Sequence, residues 1–395
     1  MTKSASTSTA FEAGPGRWEV IAAILMGGLA VSQVVAMPLL ATLVASAYGM
    51  GESASGFIGL ANLLGTAAGS LAVTICLQRL PLRGSAVSAA FLACVAQFAV
   101  ALMPGFQSAL LMEALAGFGA GVLLALSAAI VGSSNDADRG FAFILTLQAI
   151  VAVALLLAIP GLSAEGSLLP VMAFMACVQI LLIPIGLALR GKPKAAEMGG
   201  QGVKDAKSLR PAVLLKAAAY FTFSAAVGVL WVFAGALGLS AGLPDTVIGK
   251  ALAVGNVAAI AGSLLAAVIT SRFGRIGPVI VTGLFIILSV FLLTPGMSVG
   301  TFFIASCLYL FAWGGGLPLM MAAVADVDTS DRVTSLLPVL AFAGMGVGPA
   351  LVSLGSETGS LFHQVSLTAT ILVVISIILF GRAHSMWTDR PENQT

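Results

Sequence analysis

The chain has 395 residues, of which 59% are hydrophobic and 9% are charged, with a mean hydropathy of +1.08 and a formal net charge of +2. Soluble globular domains carry about 25% charged residues, so this composition excludes a protein that folds mainly in water. The small net charge gives no reason to expect a nucleic-acid partner.

Apolar runs that approach the roughly 20 residues needed to cross a bilayer recur along the chain. They lack the strict alternation of a transmembrane β-barrel, so we predict an all-α membrane protein. The first run has no convincing cleavage site and is interpreted as a retained helix. The twelve predicted spans, numbered in chain order, are 18–45, 53–77, 85–104, 107–131, 140–161, 167–189, 211–238, 245–270, 277–295, 300–324, 334–354 and 363–381.

The positive charges are placed on one side of these spans. Of the 18 Lys and Arg residues, only Lys216 and Lys250 fall within spans, and the others lie in the termini and in alternate loops. By the positive-inside rule both termini are predicted to be cytoplasmic. We therefore expect an integral protein of the plasma membrane, the inner membrane if the source is bacterial.

The two halves of the chain repeat each other at an offset of 193 residues. Gly69 aligns with Gly262, and Arg79 aligns with Arg272. We predict two six-helix bundles inserted in the same orientation, an arrangement that transporters use. The predicted units are a tail over 1–17, a bundle over 18–189, a cytoplasmic linker over 190–210, a second bundle over 211–381 and a tail over 382–395.

The chain resembles the major facilitator superfamily over nearly its whole length. Gly262, Arg272, Gly274 and Arg275 match the signature of that family between helices 8 and 9, with Ser271 in place of an acid. The first-half copy keeps a glycine and two arginines but has Gln78 and Pro81 at other signature positions, and the Asp138–Arg139–Gly140 turn resembles the family's acid–Arg–Gly turn. The resemblance implies twelve helices in two pseudo-symmetric bundles that enclose a central site.

Charged residues at the cytoplasmic boundaries are candidates for a gate. Arginine side chains at helix ends can bridge to carboxylates or terminal carbonyls of the opposite half and hold that side shut. The alternative is that they only set the topology and contribute little as exposed ion pairs. The candidates are Arg79, Arg83, Asp138, Arg139, Arg272, Arg275, Asp331 and Arg332.

Glu113 lies within span 4 and is the clearest candidate for function. A charged side chain near the bilayer centre costs about 2.5–3.5 kcal/mol, which makes it a functional candidate by default. Glu113, Gly117 and Gly121 share a helix face, where the glycines allow another helix to approach closely. We predict a proton-coupling or cation-binding role, with a neutral packing acid and a fixed ion pair as alternatives.

The family resemblance implies a substrate cavity lined by helices 1, 4, 7 and 10. Lys250, on span 8, has three readings: it contacts an anionic substrate, pairs with Glu113, or extends to the membrane interface. Lys216 is expected at the interface, and Ser32 lies near the middle of span 1. The predicted cavity residues are Gln33, Tyr220, Trp231, Lys250, Tyr309 and Trp313.

Two glycine- and proline-containing stretches are predicted to bend. Gly314, Gly315 and Gly316 precede Pro318 in span 10, and Gly348 precedes Pro349 in span 11. Proline removes a helical hydrogen bond, so these stretches are candidate hinges.

We predict a secondary active transporter rather than an enzyme. No P-loop is present, and the four cysteines lie within spans without metal-ligand spacing, so we expect no metal or cofactor and a proton gradient as the energy source. The aromatic lining and single acid favour export of small amphipathic compounds. The alternatives are proton-linked uptake of a small organic anion and a non-transporting receptor or scaffold. We expect a monomer whose partners are a small-molecule substrate and membrane lipid.

Overall fold

A computed structural model describes residues 15–134, 136–163, 166–189, 211–274, 276–328, 332–355 and 360–388. Within these residues the chain forms twelve helices joined by short turns and 3-10 segments. Two of them, α1 and α6, are each divided by a single residue. The helices are α1 (Arg17–Ala30 and Ser32–Ala47), α2 (Ser55–Cys76), α3 (Leu82–Ala99), α4 (Phe106–Gly132), α5 (Ala137–Leu162), α6 (Leu168–Ile180 and Leu182–Leu187), α7 (Pro211–Ser240), α8 (Asp245–Phe273), α9 (Ile276–Leu292), α10 (Val299–Ala325), α11 (Leu337–Leu354) and α12 (Leu361–Thr388).

These helices correspond one by one to the twelve predicted spans. Within the described residues, eleven helices are long and apolar enough to cross a membrane, and α9, with 17 residues, is shorter. The chain is therefore an integral membrane protein of the all-α class. The boundaries differ by a few residues, and the largest difference is at the C-terminal end, where α12 continues to Thr388 and so includes the first part of the predicted tail. The predicted linker over 190–210 lies entirely outside the described residues.

Local chemistry explains where several helices begin and end. Pro244 precedes α8, and its missing N–H group is one that the first turn of a helix would leave unpaired in any case. That helix ends at Gly274, whose φ of 64° lies in the left-handed region that glycine adopts easily. At the start of α10, the Ser298 hydroxyl accepts a hydrogen bond from the Thr301 N–H at 3.1 Å.

The 193-residue repeat is confirmed at the level of single hydrogen bonds. The Ser70 hydroxyl on α2 donates to the carbonyl oxygen of Gly121 on α4 at 3.1 Å. The Ser263 hydroxyl on α8 donates to the carbonyl oxygen of Gly314 on α10 at 2.7 Å. Ser263 and Gly314 each lie 193 residues after Ser70 and Gly121. The second and fourth helices of the two halves therefore pack in the same register.

Glycines permit this packing in both halves. A Cβ added at Gly69 would overlap the carbonyl oxygen of Phe118, and one added at Gly262 would overlap the carbonyl oxygen of Phe311. These two contacts are also related by the offset of 193. Small residues that let helix backbones touch are the usual basis of helix association in lipid, where no hydrophobic driving force exists between helices.

The interface between the halves is closed at one end. A Cβ on Gly56 of α2 would overlap the carbonyl oxygen of Pro349 on α11. Nearby, the Ser353 hydroxyl donates to the carbonyl oxygen of Ser53 at 2.6 Å, and the Ser240 hydroxyl donates to the Glu52 carboxylate. This end carries the turns between α1 and α2, between α7 and α8 and between α11 and α12, which is the outer side in the predicted topology.

Side chains of α5 and α7 are more exposed towards the opposite end. Every residue of α7 from 223 to 238 is buried, whereas Leu214 and Ala218, earlier on the same helix, are exposed. On α5, Phe143 and Leu145 are 60% and 65% exposed. α7 is therefore enclosed over its outer half and exposed along one face of its inner half, and the hydrogen bonds described above between the halves lie at the outer end.

Candidate functional site

Glu113 lies inside the first bundle and is 1% exposed. Its Oε2 atom accepts a hydrogen bond from Nδ2 of Asn62 on α2 at 2.9 Å. The same Nδ2 donates to Oε1 of Gln33 on α1 at 2.8 Å. Asn62 thus links the Glu113 carboxyl on α4 to α2, and the bond from Asn62 to Gln33 extends the link to α1.

Two further buried amides extend this group. The side chain of Gln97 on α3 lies near the Glu113 carboxyl, and its Nε2 lies 3.0 Å from the sulfur of Met172 on α6. Nε2 of Gln179, also on α6, donates to the Ser32 hydroxyl at 2.8 Å. We refer to five side chains on five helices, each at most 1% exposed, as the amide cluster: Gln33, Asn62, Gln97, Glu113 and Gln179.

The glycines that follow Glu113 bring α2 and α4 together, as the sequence predicts. A Cβ on Gly117 would overlap the carbonyl oxygen of Asn62, and one on Gly121 would overlap the carbonyl oxygen of Thr66. This close approach places the short Asn62 side chain within hydrogen-bonding distance of Glu113. It also shields the acid from lipid, because the backbone of α2 covers it.

Two alternatives for Glu113 and Lys250, and the expectation for Lys216, are not met in the described residues. No Lys or Arg side chain in the described part of the chain pairs with Glu113, which argues against a fixed ion pair. Lys250 lies in the other bundle with an exposed side chain and does not pair with Glu113. Lys216, expected at the interface, is 5% exposed, and its Nζ donates to the carbonyl oxygen of Ala323 at 3.0 Å.

The predicted cavity residues divide between the amide cluster and an aromatic group. Gln33 belongs to the cluster, whereas Trp231 on α7 and Trp313 on α10 pack against each other with ring centroids 5.5 Å apart. Tyr220 and Tyr309 are each 1% exposed. In this conformation aromatic rings therefore fill the space between the bundles at the level of Trp231.

Prolines within helices free carbonyl oxygens that receive donors from neighbouring helices. Pro38 has no N–H group for the carbonyl of Val34, and that oxygen accepts a hydrogen bond from Trp231 Nε1 at 2.8 Å across the interface. In α10, Pro318 has no N–H group for the carbonyl of Gly314, which accepts the bond from Ser263 described above.

The predicted hinge glycines lie in unbroken helices. A Cβ on Gly314 would overlap the carbonyl oxygen of Ala259, and one on Gly348 would overlap the carbonyl oxygen of Ala225. Gly315 lies against Gly262, and a Cβ on Gly316 would overlap the ring of Phe223. Close helix packing therefore explains these residues here, and bending at the glycines or at Pro349 stays a prediction.

The predicted gate residues do not bridge the halves in the described structure. Arg79, Arg83 and Arg332 are exposed. Arg139 forms an ion pair with Asp136 of its own half at 3.2 Å. The side chains of Asp138 and Arg272, and the whole of Arg275 and Asp331, lie outside the part of the chain that the structure describes.

Several buried polar residues were missed in the sequence. Asn62, Gln97 and Gln179 are neutral amides within apolar runs, and an uncharged residue in a span gives a weaker signal than a charged one. Their partners on other helices lie between 29 and 147 residues away. A search for Asn and Gln at mid-span, matched to the position of Glu113, would have found them.

Comparison with solved structures places the chain among membrane transporters in fold. It aligns with a transporter of the POT family in complex with 5-aminolevulinic acid, with a TM-score of 0.74 at 10% identity, covering 93% of this chain and 96% of that one. The chain adopts the major facilitator superfamily fold. The nucleoside transporter NupG shares this fold, with a TM-score of 0.69 at 14% identity and coverage of 94% and 99%.

A third solved structure shares the fold. It is a bacterial homologue of the human lysosomal transporter Spinster in an inward-facing, unoccupied state, with a TM-score of 0.67 at 12% identity and coverage of 95% and 97%. No model of a protein family matches the chain, and no curated protein matches its sequence. At these identities the likeness to solved structures concerns the fold.

Proposed function

We propose that the protein is a secondary active transporter that moves a small organic solute by alternating access. The observation that carries this proposal is the interface between the halves, which is in close contact at the end of Gly56 and Pro349, whereas Leu214 of α7 is exposed towards the other end. Two bundles of equal construction can rock about such an interface and expose a central site to one side at a time. The solved structures of the same fold named above are transporters of nucleosides, of POT-family substrates and of the Spinster type.

Proton coupling is assigned to Glu113. The groups that face its carboxyl from α1, α2 and α3 are the neutral amides of Gln33, Asn62 and Gln97. A buried carboxylate without a cation is costly, and a bound proton removes the charge. Protonation and deprotonation of this group would thus change the stability of the first bundle and couple to its movement.

The transported solute is proposed to be small and amphipathic, and the direction to be export. Aromatic rings occupy the centre of the interface, and apolar side chains such as Leu214 and Phe143 are exposed towards the end opposite Gly56. Uptake of an organic anion receives less support, because Lys250 lies apart from Glu113 with an exposed side chain.

Flux into proteoliposomes under a pH gradient tests the proposal. A panel of amphipathic solutes is offered, and at least one is expected to move against its concentration gradient when protons flow in the opposite direction. Glu113→Gln should abolish this driven flux but retain solute exchange without a gradient. Asp136→Asn, which removes an exposed carboxylate of the same bundle, is the matched control and should transport normally.

The outcomes separate the proposal from its alternatives. Driven flux that is unchanged in Glu113→Gln removes this residue from the coupling mechanism. Absence of both flux and exchange for every solute, in protein that unfolds cooperatively, favours a non-transporting receptor or scaffold.

A further inference from the structure

Several buried oxygen atoms of the amide cluster receive no hydrogen bond in the described part of the chain. Four buried oxygens have no hydrogen-bond partner in the described part of the chain: Asn62 Oδ1, Gln97 Oε1, Glu113 Oε1 and Gln179 Oε1. The corresponding unpartnered nitrogen atom is Gln33 Nε2. Each unsatisfied buried polar group costs about 1–3 kcal/mol, so folded proteins contain few of them and rarely place several together.

Three of the amides, those of Asn62, Gln97 and Gln179, are held by their nitrogen atoms, which leaves their oxygens available, whereas Gln33 is held by its oxygen. Nδ2 of Asn62 is bonded to Gln33 and Glu113, and Nε2 of Gln179 is bonded to the Ser32 hydroxyl. Nε2 of Gln97 lies on the sulfur of Met172. These contacts to the nitrogen atoms fix the orientation of the amide groups. Hydrogen bonds to metal-binding side chains orient those side chains in the same way.

A proton on Glu113 satisfies only part of this requirement. One proton converts Glu113 into a donor for a single acceptor, and the other oxygens remain unpaired. A cation is attracted to all of them at once, since carbonyl and carboxylate oxygens are the ligands of hard cations. The cluster contains one carboxylate, and no described Lys or Arg pairs with it, so a single positive charge balances it.

We infer that the amide cluster is a binding site for a small monovalent cation, Na⁺, with Glu113, Asn62 and Gln97 as its ligands. The side chains are close enough to hydrogen bond to one another, at 2.8 Å and 2.9 Å, which favours Na⁺ over the larger K⁺. The site uses amides in place of additional acids. This agrees with the absence, among the described residues, of any group of three or more His, Cys, Asp or Glu residues suited to a metal.

This inference deepens the proposed function, because Na⁺ and the coupling proton would share the Glu113 carboxyl. The two ions cannot both bind it, so occupancy by Na⁺ should fall as the proton concentration rises. The other groups that face the carboxyl are amides that do not titrate, so the competition is confined to Glu113. Binding of Na⁺ is nevertheless a separate property, which can be measured without any transport.

Thermal unfolding of the purified full-length protein tests the inference directly. The temperature midpoint is measured in NaCl, KCl and choline chloride at constant ionic strength, at pH 6 and at pH 8.5. We expect Na⁺ to raise the midpoint in a saturable manner at pH 8.5, because a ligand that binds only the folded state stabilises it. K⁺ should act at higher concentration, choline should have no specific effect, and the half-saturating concentration of Na⁺ should be higher at pH 6.

Variants then locate the site. Glu113→Gln should abolish the effect of Na⁺, and Gln97→Leu and Asn62→Ala should each raise the half-saturating concentration by about tenfold or more. Gln148→Leu is the matched control, because it removes a half-buried amide of the same bundle that bonds to the carbonyl oxygen of Gly27. If a cluster variant does not fold, binding of radioactive Na⁺ to the wild-type protein and its displacement by acid provide the same information.

Each outcome has one meaning. Equal midpoints in NaCl and choline chloride at both pH values overturn the sodium site, even if flux driven by a pH gradient is intact. Stabilisation by Na⁺ that survives in Glu113→Gln also overturns it. Stabilisation that is lost in Glu113→Gln supports the site even if no proton-driven flux is found, and in that case the proposed proton coupling fails alone.

Discussion

Gly56 and Gly249 make equivalent contacts on opposite sides of the interface between the halves. Gly56 of α2 lies against the carbonyl oxygen of Pro349 on α11, and Gly249 of α8 lies against the carbonyl oxygen of Leu156 on α5. The offset of 193 residues relates Gly56 to Gly249, and it also relates Leu156 to Pro349. The closed end is therefore built from two copies of one contact, and an approximate twofold axis relates them.

We expect that Gly56→Ala or Gly249→Ala opens the closed end. Alanine normally stabilises a helix by up to about 1 kcal/mol relative to glycine, but here the new methyl group would overlap a carbonyl oxygen. Overpacking costs about 1–3 kcal/mol, and it acts only while the halves are in contact. Spin labels on Met50 and Thr246, both exposed at this end, should report longer distances in the variants.

Gly161→Ala is the control for this experiment, because nothing lies within 4 Å of the position where its Cβ would be. It should leave the distance distribution unchanged. If Gly56→Ala and Gly249→Ala give the same distances as the wild-type protein, the close contact at these glycines does not hold the end shut.

The two equivalent serine bonds should differ in their contribution to stability. In α10 the carbonyl of Gly314 has no N–H donor from Pro318, so Ser263→Ala leaves it unpaired at a cost of about 1–3 kcal/mol. In α4 the residue equivalent to Pro318 is Ala125, whose N–H group is available to the carbonyl of Gly121, so Ser70→Ala should cost less. Thermal unfolding of the two variants provides the comparison.

Replacement of the proline checks the reason for this difference. Ser263→Ala combined with Pro318→Ala should recover stability, because the alanine supplies the missing helical donor. Equal destabilisation by Ser263→Ala and Ser70→Ala, without recovery in the double variant, would contradict this account.

Trp231 should stabilise the state with the closed outer end. Trp231→Phe keeps an aromatic ring but removes the donor to the carbonyl oxygen of Val34, which Pro38 cannot replace. We expect a loss of about 1–3 kcal/mol. The thermal midpoint should fall, and the spin-label distance at the outer end should lengthen.

Adding Pro38→Ala to Trp231→Phe should restore part of the stability, since an N–H group then lies one turn after Val34. Restored stability with a lengthened distance would show that the bond couples the halves as well as satisfying the carbonyl. No loss of stability in Trp231→Phe would show that the bond contributes nothing measurable.

The sequence predicts the fold well because the signals for it are strong and local. Long apolar runs mark the helices, and the offset that aligns Gly69 with Gly262 also aligns their contacts in the structure. The burial of Glu113 beside a second helix follows from Gly117 and Gly121. Each of these inferences needs only spacing and the cost of placing a charge in lipid.

The site is less predictable because its partners are distant in sequence and uncharged. Nothing near Asn62 indicates that its amide joins Gln33 to Glu113, since that depends on how three helices pack. Lys216 was expected at the interface because a lysine near a helix end can extend outward, but here α10 and α12 cover it and offer a carbonyl and the ring of Phe380. The partner of Trp231 is a backbone carbonyl, which no side-chain pattern reveals.

The amide cluster has no counterpart in the second bundle, although the surrounding helices repeat. The positions equivalent to Gln33, Asn62, Gln97 and Glu113 hold Ala226, Gly255, Val290 and Ser306. Covalent fusion of the two bundles makes this divergence feasible, because a substitution in one copy is not imposed on the other. A pair of identical six-helix chains would have to duplicate every buried acid, whereas this chain carries a buried acid in one bundle and Ser306 at the equivalent position of the other.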